Sequence, residues 1–194
     1  MIKYTYNDYE KYLVNQKEKT SGVLLFAEKL NKKIGKKFYR RNEHLKKIKE
    51  SGKVLCVGAR TGAEVEAFIE LGYDAIGIDL LECKPYVIVM DMMNMKFDCK
   101  FDIIYTNSID HCYDIVKFAE QIKNNINSNG ILIIDINHGV RAGKIGKYES
   151  VSIGKNEDIV DIFCKNGFKF INKFINLPKR YNRRMIEEQF MFSL

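Results

Sequence analysis

Several features that would place the chain in a particular class of protein are missing from its 194 residues. There is no tryptophan, and no apolar run approaches the roughly 18 residues that a membrane-spanning helix needs. The N-terminal stretch MIKYTYNDYEKY lacks the basic and then apolar segments of a secretory signal. The five cysteines form no CxxC pair, which argues against a disulfide framework or a zinc site. We therefore expect reduced thiols and a cytoplasmic protein without a membrane partner.

The charged residues are unevenly distributed along the chain. With 46% apolar and 29% charged residues, the composition is that of one globular domain, and its net charge is +7. Residues 1–52 hold 14 basic and 6 acidic side chains, residues 53–140 hold 7 and 13, and residues 141–194 hold 11 and 6. Lysine-rich codon usage alone does not put an acidic middle between two basic flanks. The basic segments are therefore candidates for contact with an anionic partner.

From residue 53 onward, short β-like runs alternate with helical stretches, which predicts a mostly parallel sheet with helices on both faces. Five strands are predicted first, at Val54–Ala59, Ala75–Leu80, Tyr86–Met90, Phe101–Thr106 and Ile131–Ile136. Asn129-Gly130 is expected to turn the chain into the fifth of them. Two more strands, Phe168–Ile175 and Met185–Phe192, follow a helix over 157–166. No crossover helix fits between these two, so the last strand should be antiparallel in a seven-stranded sheet.

The N-terminal segment, residues 1–52, is predicted to be helical. Phe26, Leu30, Ile34 and Phe38 recur every four residues on one face, while lysines occupy the other faces. This pattern fits either a helix that covers the sheet or part of a lid over a substrate. We therefore divide the chain into a helical cap, residues 1–52, and a core, residues 53–194. The stretch 138–155 has four glycines and no apolar periodicity, which predicts a long loop.

A glycine turn follows the first predicted strand. Gly58 at the strand end lets the backbone bend sharply, and Gly62 lets the next helix start close to the strand. Asp79 ends the following strand 21 residues after Gly58, where a carboxylate can accept hydrogen bonds from ribose hydroxyls. The spacing G-x-x-x-G, with Arg60 in place of a middle glycine, departs from the G-x-G-x-x-G of nicotinamide sites. The pattern therefore favours S-adenosylmethionine over a nicotinamide cofactor.

These residues resemble the class I (Rossmann-like) S-adenosylmethionine-dependent methyltransferases over about residues 53–137. The matching motifs are the glycine turn, Asp79, Asp91-Met92, the run from Phe101 to Ser108, and the run from Asn129 to Ile134. The resemblance implies that Asp79 holds the ribose, that Asp91 and Met92 hold the adenine, and that the backbone carbonyl of Asn107 holds the cofactor's amino group. The implied cofactor-binding residues are Gly58, Ala59, Arg60, Gly62, Asp79, Leu80, Asp91, Met92 and Asn107.

Two positions depart from the family pattern. Cys56 stands where many members have an acid, and Arg60 replaces the middle glycine, so a catalytically weak S-adenosylmethionine-binding subunit is one alternative. Methyl transfer itself depends mainly on alignment, and a base is needed only when the acceptor loses a proton. His111, beside Asp110, is the candidate base, and a packing or capping role is the alternative for it. A metal-assisted variant using Asp110, His111, Asp135 and Asn137 matches only loosely, so no metal is assigned.

The acceptor is inferred from the basic flanks. Lysines between Lys29 and Lys49 precede the core, and Arg141, Lys144 and Lys147 follow the fifth strand, where both segments can close over a substrate. This favours O-methylation of a small anionic acceptor, such as a phosphorylated or nucleotide-linked sugar. An RNA substrate is the alternative, with Tyr39, Arg40, Arg41 and the link from Lys179 to Arg184 tracking a phosphate backbone. No N-P-P-Y-type tetrad occurs, which disfavours methylation of a base amino group.

Overall fold

A seven-stranded sheet forms the centre of the computed structural model, which describes residues 2–137, 148–155, 157–176 and 187–194. The strands of the described residues, in chain order, are β1 (Lys3–Tyr4), β2 (Lys53–Val57), β3 (Asp74–Asp79), β4 (Val87–Val89), β5 (Phe101–Thr106), β6 (Ile126–Asn137), β7 (Val151–Ser152), β8 (Lys169–Asn176) and β9 (Glu187–Ser193). The helices are α1 (Tyr9–Leu24), α2 (Ala27–Asn42), α3 (Ala63–Glu70), α4 (Ile115–Asn125) and α5 (Glu157–Lys165).

The strand order across the sheet is β4-β3-β2-β5-β6-β9-β8. Neighbours from β4 to β6 are parallel, and β9 runs antiparallel to both β6 and β8. This confirms the predicted α/β fold, including its antiparallel last strand. The order reverses between β2 and β5, so the loops that follow these two strands flank the crevice where ligands of such sheets bind.

Helices cover both faces of the sheet because its central strands are apolar on both sides. On one face, α4 and α5 bury Phe118, Ile122 and Phe163. On the other face, α2 and α3 bury Phe38 and Phe68. The side chain of Asp114 caps α4 by accepting from the backbone N–H groups of the first turn. None of the helices in the described part of the chain has the length and apolarity needed to cross a bilayer.

The predicted turn at Asn129-Gly130 lies within the range of β6, at an irregularity in its pairing with β5. α4 ends at Asn125, and the chain is already extended from Ile126, where β6 begins. Ile126 is fully buried and pairs with Phe101 ahead of an irregularity in the β5–β6 register. From Ile126 to Ile131, β6 advances five residues while β5 advances two, so the chain bends outward around Asn129-Gly130 before regular pairing starts at Ile131.

The predicted N-terminal stripe is buried only at its C-terminal end. Phe38 is 7% exposed and packs edge-on against Tyr105, whereas Phe26 is 60% exposed. The cause is the break between α1 and α2, which places Phe26 before the first turn of α2 rather than within one continuous helix. The predicted long loop contains β7, which pairs antiparallel with β1 and ties the N-terminus to residues 151–152. Residues 138–147 and 177–186, with the predicted basic loop and basic link, lie outside the described residues.

Candidate active site

The glycine turn after β2 lies against the end of β5. Gly58 has φ +73°, and a Cβ added there would come within 2.6 Å of the Cβ of Ser108. The hydroxyl of Ser108 donates to the carbonyl of Gly58 at 3.2 Å. Only glycine combines this positive φ with such a close approach. The turn is therefore fixed at the point where the strand order reverses.

Asp79 joins the glycine turn to the end of β3. Its carboxylate accepts from the backbone N–H of Arg60 at 3.0 Å and from its neighbour Leu80 at 2.8 Å. Arg60 has φ 47°, so it holds the left-handed conformation that a middle glycine would adopt easily. A third donor is the hydroxyl of Thr20 on α1, which lies 3.2 Å from Oδ1 of Asp79. Asp79 is the residue that the sequence predicts to bind the ribose.

Asp91, just after β4, is also contacted by α1. The hydroxyl of Tyr9 donates to its Oδ2, and the backbone N–H of Met93 donates to its Oδ1 at 2.8 Å. The ring of Tyr9 stacks on Tyr12 and meets Tyr113 edge-on at 4.9 Å between centroids. Helix α1 therefore supplies a hydroxyl to each of the two acids that the sequence assigns to the cofactor.

The first cavity at this edge of the sheet has only about 30 Å³ of free space, enough for about one water molecule. Its lining comes from α1 and from the loops after β2, β3, β4 and β5. The lining residues are Tyr12, Gln16, Lys19, Thr20, Gly58, Arg60, Ile78, Asp79, Leu80, Met90, Asp91, Met92, Ser108 and His111. Side chains of α1 thus fill most of the space between the two acids and the glycine turn.

A second, polar cavity of about 190 Å³ opens on the other side of the glycine turn. It shares Gly58, Arg60, Ser108 and His111 with the first cavity. Its other lining residues are Ile34, Phe38, Ala59, Thr61, Glu64, Asn107 and Asp110. The two cavities therefore adjoin at the glycine turn and the end of β5.

His111 lies at the border of the two cavities and has a defined tautomer. Its Nδ1 lies 2.9 Å from the carbonyl of Tyr148, which can only accept, so Nδ1 carries the proton. Nε2 then accepts from the ammonium group of Lys19, and Asp110 lies 3.6 Å from the same nitrogen. Burial lowers the pKa of His111 and lowers the pKa of Lys19 to about 7. His111 is therefore neutral at pH 7, with its lone pair on Nε2.

Most of the sequence-predicted residues meet at this site. Gly58, Arg60, Asp79, Leu80, Asp91 and Met92 line the first cavity together with His111, and Ala59, Asn107 and Asp110 line the second. Gly62 does not reach either one. It precedes α3 at φ +78°, and an added Cβ would come within 2.7 Å of Tyr86, so its role is close packing of the turn.

Sequence reasoning missed the contributions of α1 and α3. Lys19, Thr20 and Gln16 reach the site only because α1 folds back across the strand ends, and no local motif marks them. Glu64 did carry a signal, since it lies two residues after Gly62 at the start of α3. An acid in the first turn of a helix is common, however, and its burial is a tertiary property.

Asp135, on β6, lines neither of the two cavities. Its carboxylate accepts from Arg41, from the hydroxyl of Tyr105 and from Gln189 at 2.9 Å, in a buried network beneath α2. Within the described residues, no three His, Cys, Asp or Glu side chains come together as a metal-binding group. The side-chain network of Asp135 therefore serves to dock α2 on the sheet.

Comparison of the whole chain with known proteins supports the fold through structure rather than sequence. No protein-family model matches the sequence, and no curated protein matches it. The 1,6-didemethyltoxoflavin-N1-methyltransferase of Burkholderia thailandensis, solved with that compound and S-adenosylhomocysteine, superposes with a TM-score of 0.77 at 11% identity, over 98% of this chain and 92% of that one.

Two further solved structures show the same likeness. An S-adenosylmethionine-dependent methyltransferase from Clostridium acetobutylicum has a TM-score of 0.61 at 15% identity, covering 79% of this chain and 89% of that one. The glycopeptide N-methyltransferase MtfA in complex with S-adenosylmethionine has a TM-score of 0.59 at 12% identity, covering 74% and 81%. Strand order, the antiparallel last strand and these superpositions agree, and this chain has the fold of the class I S-adenosylmethionine-dependent methyltransferases.

Proposed function

We propose that this protein is an S-adenosylmethionine-dependent methyltransferase acting on a small anionic acceptor. The observation that carries the proposal is the meeting of Asp79, Asp91 and the Gly58 turn around one cavity at the carboxyl edge of a methyltransferase sheet. Ligands of open α/β sheets bind at this edge, where the strand order reverses.

The residues present fit this cofactor. Thr20 and Tyr9 place hydroxyl groups on Asp79 and Asp91, which demonstrates that both carboxylates can accept from hydroxyl donors at this edge. Asp79 would hold the ribose and Asp91, with Met92, the adenine, while Gly58 and Ala59 allow close approach of the ligand. Because α1 fills the first cavity, it must shift for the ligand to enter. Bound S-adenosylmethionine would supply an electrophilic methyl group on a sulfonium sulfur.

We assign the proton-accepting role to His111. In O-methylation, the acceptor oxygen forms a bond to the methyl carbon as the sulfur–methyl bond breaks, and the hydroxyl proton passes to Nε2 of His111. The tautomer fixed by Tyr148 leaves that nitrogen unprotonated at pH 7. Asp110, 3.6 Å away, would stabilise the imidazolium that forms. Lys19 must release Nε2 before this step, since it occupies the same lone pair.

The choice of acceptor rests on the positive groups around the site. Lys19 lies against Nε2 of His111, the proposed base, where its ammonium form would attract a phosphate or carboxylate on the acceptor. Two of the similar structures are named as N-methyltransferases, one of them for a small heterocycle. Their names favour a small acceptor, while His111 favours an acceptor that loses a proton. We therefore propose an O-methylated anionic metabolite, with residues 1–52 as a cap on the core in the cytoplasm.

An RNA methyltransferase is the second candidate. The observation that favours it is the exposed lysine face of α2, formed by Lys29, Lys32, Lys33 and Lys36. Binding of RNA through such a face should fall steeply as salt rises, because counterions are released from the phosphates. A salt series with labelled RNA therefore separates the two candidates, and absence of binding at low salt removes this one.

The test of the proposed function is ligand binding followed by methyl transfer. Calorimetry should show binding of S-adenosylhomocysteine to the wild-type protein, and Asp79→Ala should reduce the affinity at least tenfold, because a charged hydrogen-bond partner is lost. Asp74→Ala is the matched control, since Asp74 is exposed at the opposite end of β3. A tritiated-methyl assay against fractionated cell extract then seeks the acceptor. Ligand binding without any methyl transfer would indicate a catalytically weak S-adenosylmethionine-binding subunit. Absence of ligand binding would refute the proposed enzymatic function.

A further inference from the structure

Glu64 is a buried carboxyl group that faces the second cavity. Its side chain belongs to the first turn of α3 and is 4% exposed. Among the described residues, no side chain forms a hydrogen bond or ion pair with it, and its carboxylate accepts only from its own backbone N–H. Burial raises its pKa to about 8. A carboxyl group in this setting is costly to ionise unless a cation joins it.

The surroundings of Glu64 indicate which kind of cation fits. Cys56, near the end of β2, is fully buried, and burial, together with the nearby carboxylate of Glu64, raises the pKa of its thiol. Arg60 lies at the same cavity and lowers the pKa of Glu64 without pairing with it. Asn107, the residue predicted to present a carbonyl to an amino group, lines the cavity as well. The cavity thus combines a carboxyl, a carbonyl-bearing strand end and a guanidinium.

This set of groups matches a zwitterionic amino acid. An ammonium group can receive the carboxylate of Glu64, while Arg60 offers donors to a carboxylate. A metal ion is a poorer match, because no cluster of three ligands occurs within the described residues. The cavity also adjoins the one lined by Asp79 and Asp91, since Gly58, Arg60 and Ser108 line both.

We propose that Glu64 binds the α-ammonium group of the amino-acid end of S-adenosylmethionine, from helix α3 rather than from the end of β2. The proposal rests on the proposed function and assigns the second cavity to the methionine part of the ligand. It also accounts for Cys56: the chain has no acid at the strand end, and the carboxyl group reaches the same region from the adjacent helix.

The test compares two ligands and two proteins by calorimetry. The ligands are S-adenosylhomocysteine and 5′-methylthioadenosine, which has the same nucleoside and sulfur but no amino-acid group. Glu64→Gln should weaken the affinity for S-adenosylhomocysteine about 10- to 100-fold, as expected for a lost charge-assisted hydrogen bond. The affinity of the same variant for 5′-methylthioadenosine should stay within about twofold of the wild-type value. Glu66→Gln, in the same helical turn but partly exposed, is the matched control and should change neither affinity.

A second measurement needs only the wild-type protein. At pH 7, pairing with an ammonium should ionise Glu64 and release protons, detected as a difference in binding heat between buffers of different ionisation enthalpy. The deaminated analogue of S-adenosylhomocysteine should release fewer. The groups facing Glu64 are Cys56, Arg60, Asp79 and Asp135, with Asp110 and His111 on the same cavity. These groups are the same for both ligands. A difference in proton release between the two ligands therefore reports the effect of the amino group.

The outcomes separate this proposal from the proposed function. Unchanged affinity of Glu64→Gln for S-adenosylhomocysteine, or equal weakening of both ligands, would overturn the role of Glu64 while leaving the methyltransferase proposal standing. Equal proton release with the deaminated analogue would overturn it too. If the wild-type protein bound neither ligand, the proposed function would fail instead.

Discussion

Burial sets the charge of single residues around the glycine turn. Lys19, Glu64 and His111 all have a pKa shifted toward the neutral form, because each is withdrawn from water. The pKa values of Lys19 and Glu64, about 7 and about 8, lie close to neutral pH. The charge of the cavity wall therefore changes over the range in which the protein is expected to work.

The raised pKa of Glu64 should make the free energy of unfolding depend on pH. Its folded-state pKa of about 8 lies above the ordinary 4.5, so the favourable contribution of the protonated form is complete below pH 4.5 and is lost as the pH rises through 8. Relative to wild type, Glu64→Gln should gain about 1–4 kcal/mol in free energy of unfolding between pH 5 and 8. Urea denaturation across that range measures it.

The control is again Glu66→Gln, whose side chain is partly exposed to water. Its unfolding free energy should keep a constant offset from wild type over the same pH range. Parallel curves for Glu64→Gln and wild type would contradict the buried, ionisation-resistant state of Glu64.

Arg60 stores conformational strain at the middle of the turn. Its φ of 47° is costly for a residue with a Cβ, while its backbone N–H is held by Asp79. Arg60→Gly should therefore raise the free energy of unfolding by up to about 1 kcal/mol, measured by urea denaturation. Arg60→Ala removes the side chain but keeps the strain, and an equal gain in both variants would refute this account.

At the scale of elements, the two N-terminal helices do different things. α1 places Tyr9, Lys19 and Thr20 on residues of the site. α2 packs on α3 and buries Phe38 and Arg41 against the sheet. Helix α1 thus occupies the space that we propose for the ligand, whereas α2 is part of the hydrophobic core.

Removing one hydroxyl of α1 should tighten ligand binding. The Thr20 hydroxyl occupies Oδ1 of Asp79 at 3.2 Å, so a ribose hydroxyl must displace it. The isosteric Thr20→Val should raise the affinity for S-adenosylhomocysteine about 3- to 10-fold, equivalent to one modest hydrogen bond. Calorimetry measures this, and Thr20→Ser, which keeps the hydroxyl, should behave as wild type. A weaker affinity in Thr20→Val would show that Thr20 assists the ligand instead.

Docking of α2 depends on a buried ion pair. Arg41 and Asp135 are 6% and 2% exposed and bonded to each other. Arg41→Leu leaves the carboxylate of Asp135 without its cation and should lower the free energy of unfolding by about 3–5 kcal/mol. Arg40→Leu, at an exposed neighbouring position, should change it by less than about 0.5 kcal/mol. Equal effects in urea denaturation would contradict a specific role for the pair.

At the scale of the whole molecule, charge and architecture are arranged together. The acidic middle of the sequence contributes Asp79 and Asp91 to the carboxyl edge of the sheet, whereas the basic N-terminal segment covers that edge through α1 and exposes lysines on α2. The net charge of +7 is thus concentrated away from Asp79 and Asp91, which we propose bind the nucleoside, and in segments that we propose attract an anionic acceptor.

Ligand binding should stabilise the entire fold, because the site joins elements from both the cap and the core. At a concentration 100 times its Kd, S-adenosylhomocysteine should add about 2.7 kcal/mol to the free energy of unfolding. For a chain of this length, that corresponds to a rise in Tm of about 5–10 °C, read by thermal denaturation. Asp79→Ala, with an affinity at least tenfold weaker, should gain no more than about 1.4 kcal/mol at the same ligand concentration. A wild-type Tm that stays constant would contradict binding to the native state.

The sequence by itself determined which segments form the strands and that the sheet is mostly parallel with an antiparallel last strand, because short apolar runs alternate with helical stretches until the final pair. It also determined Gly58, Asp79 and Asp91, since strand ends of a parallel sheet meet at one edge. Only the tertiary structure decided that Lys19 and Thr20 enter the site, that Glu64 is buried, and that Asp135 docks α2. These depend on how separate elements pack, and packing across long sequence separations leaves no mark in a local pattern.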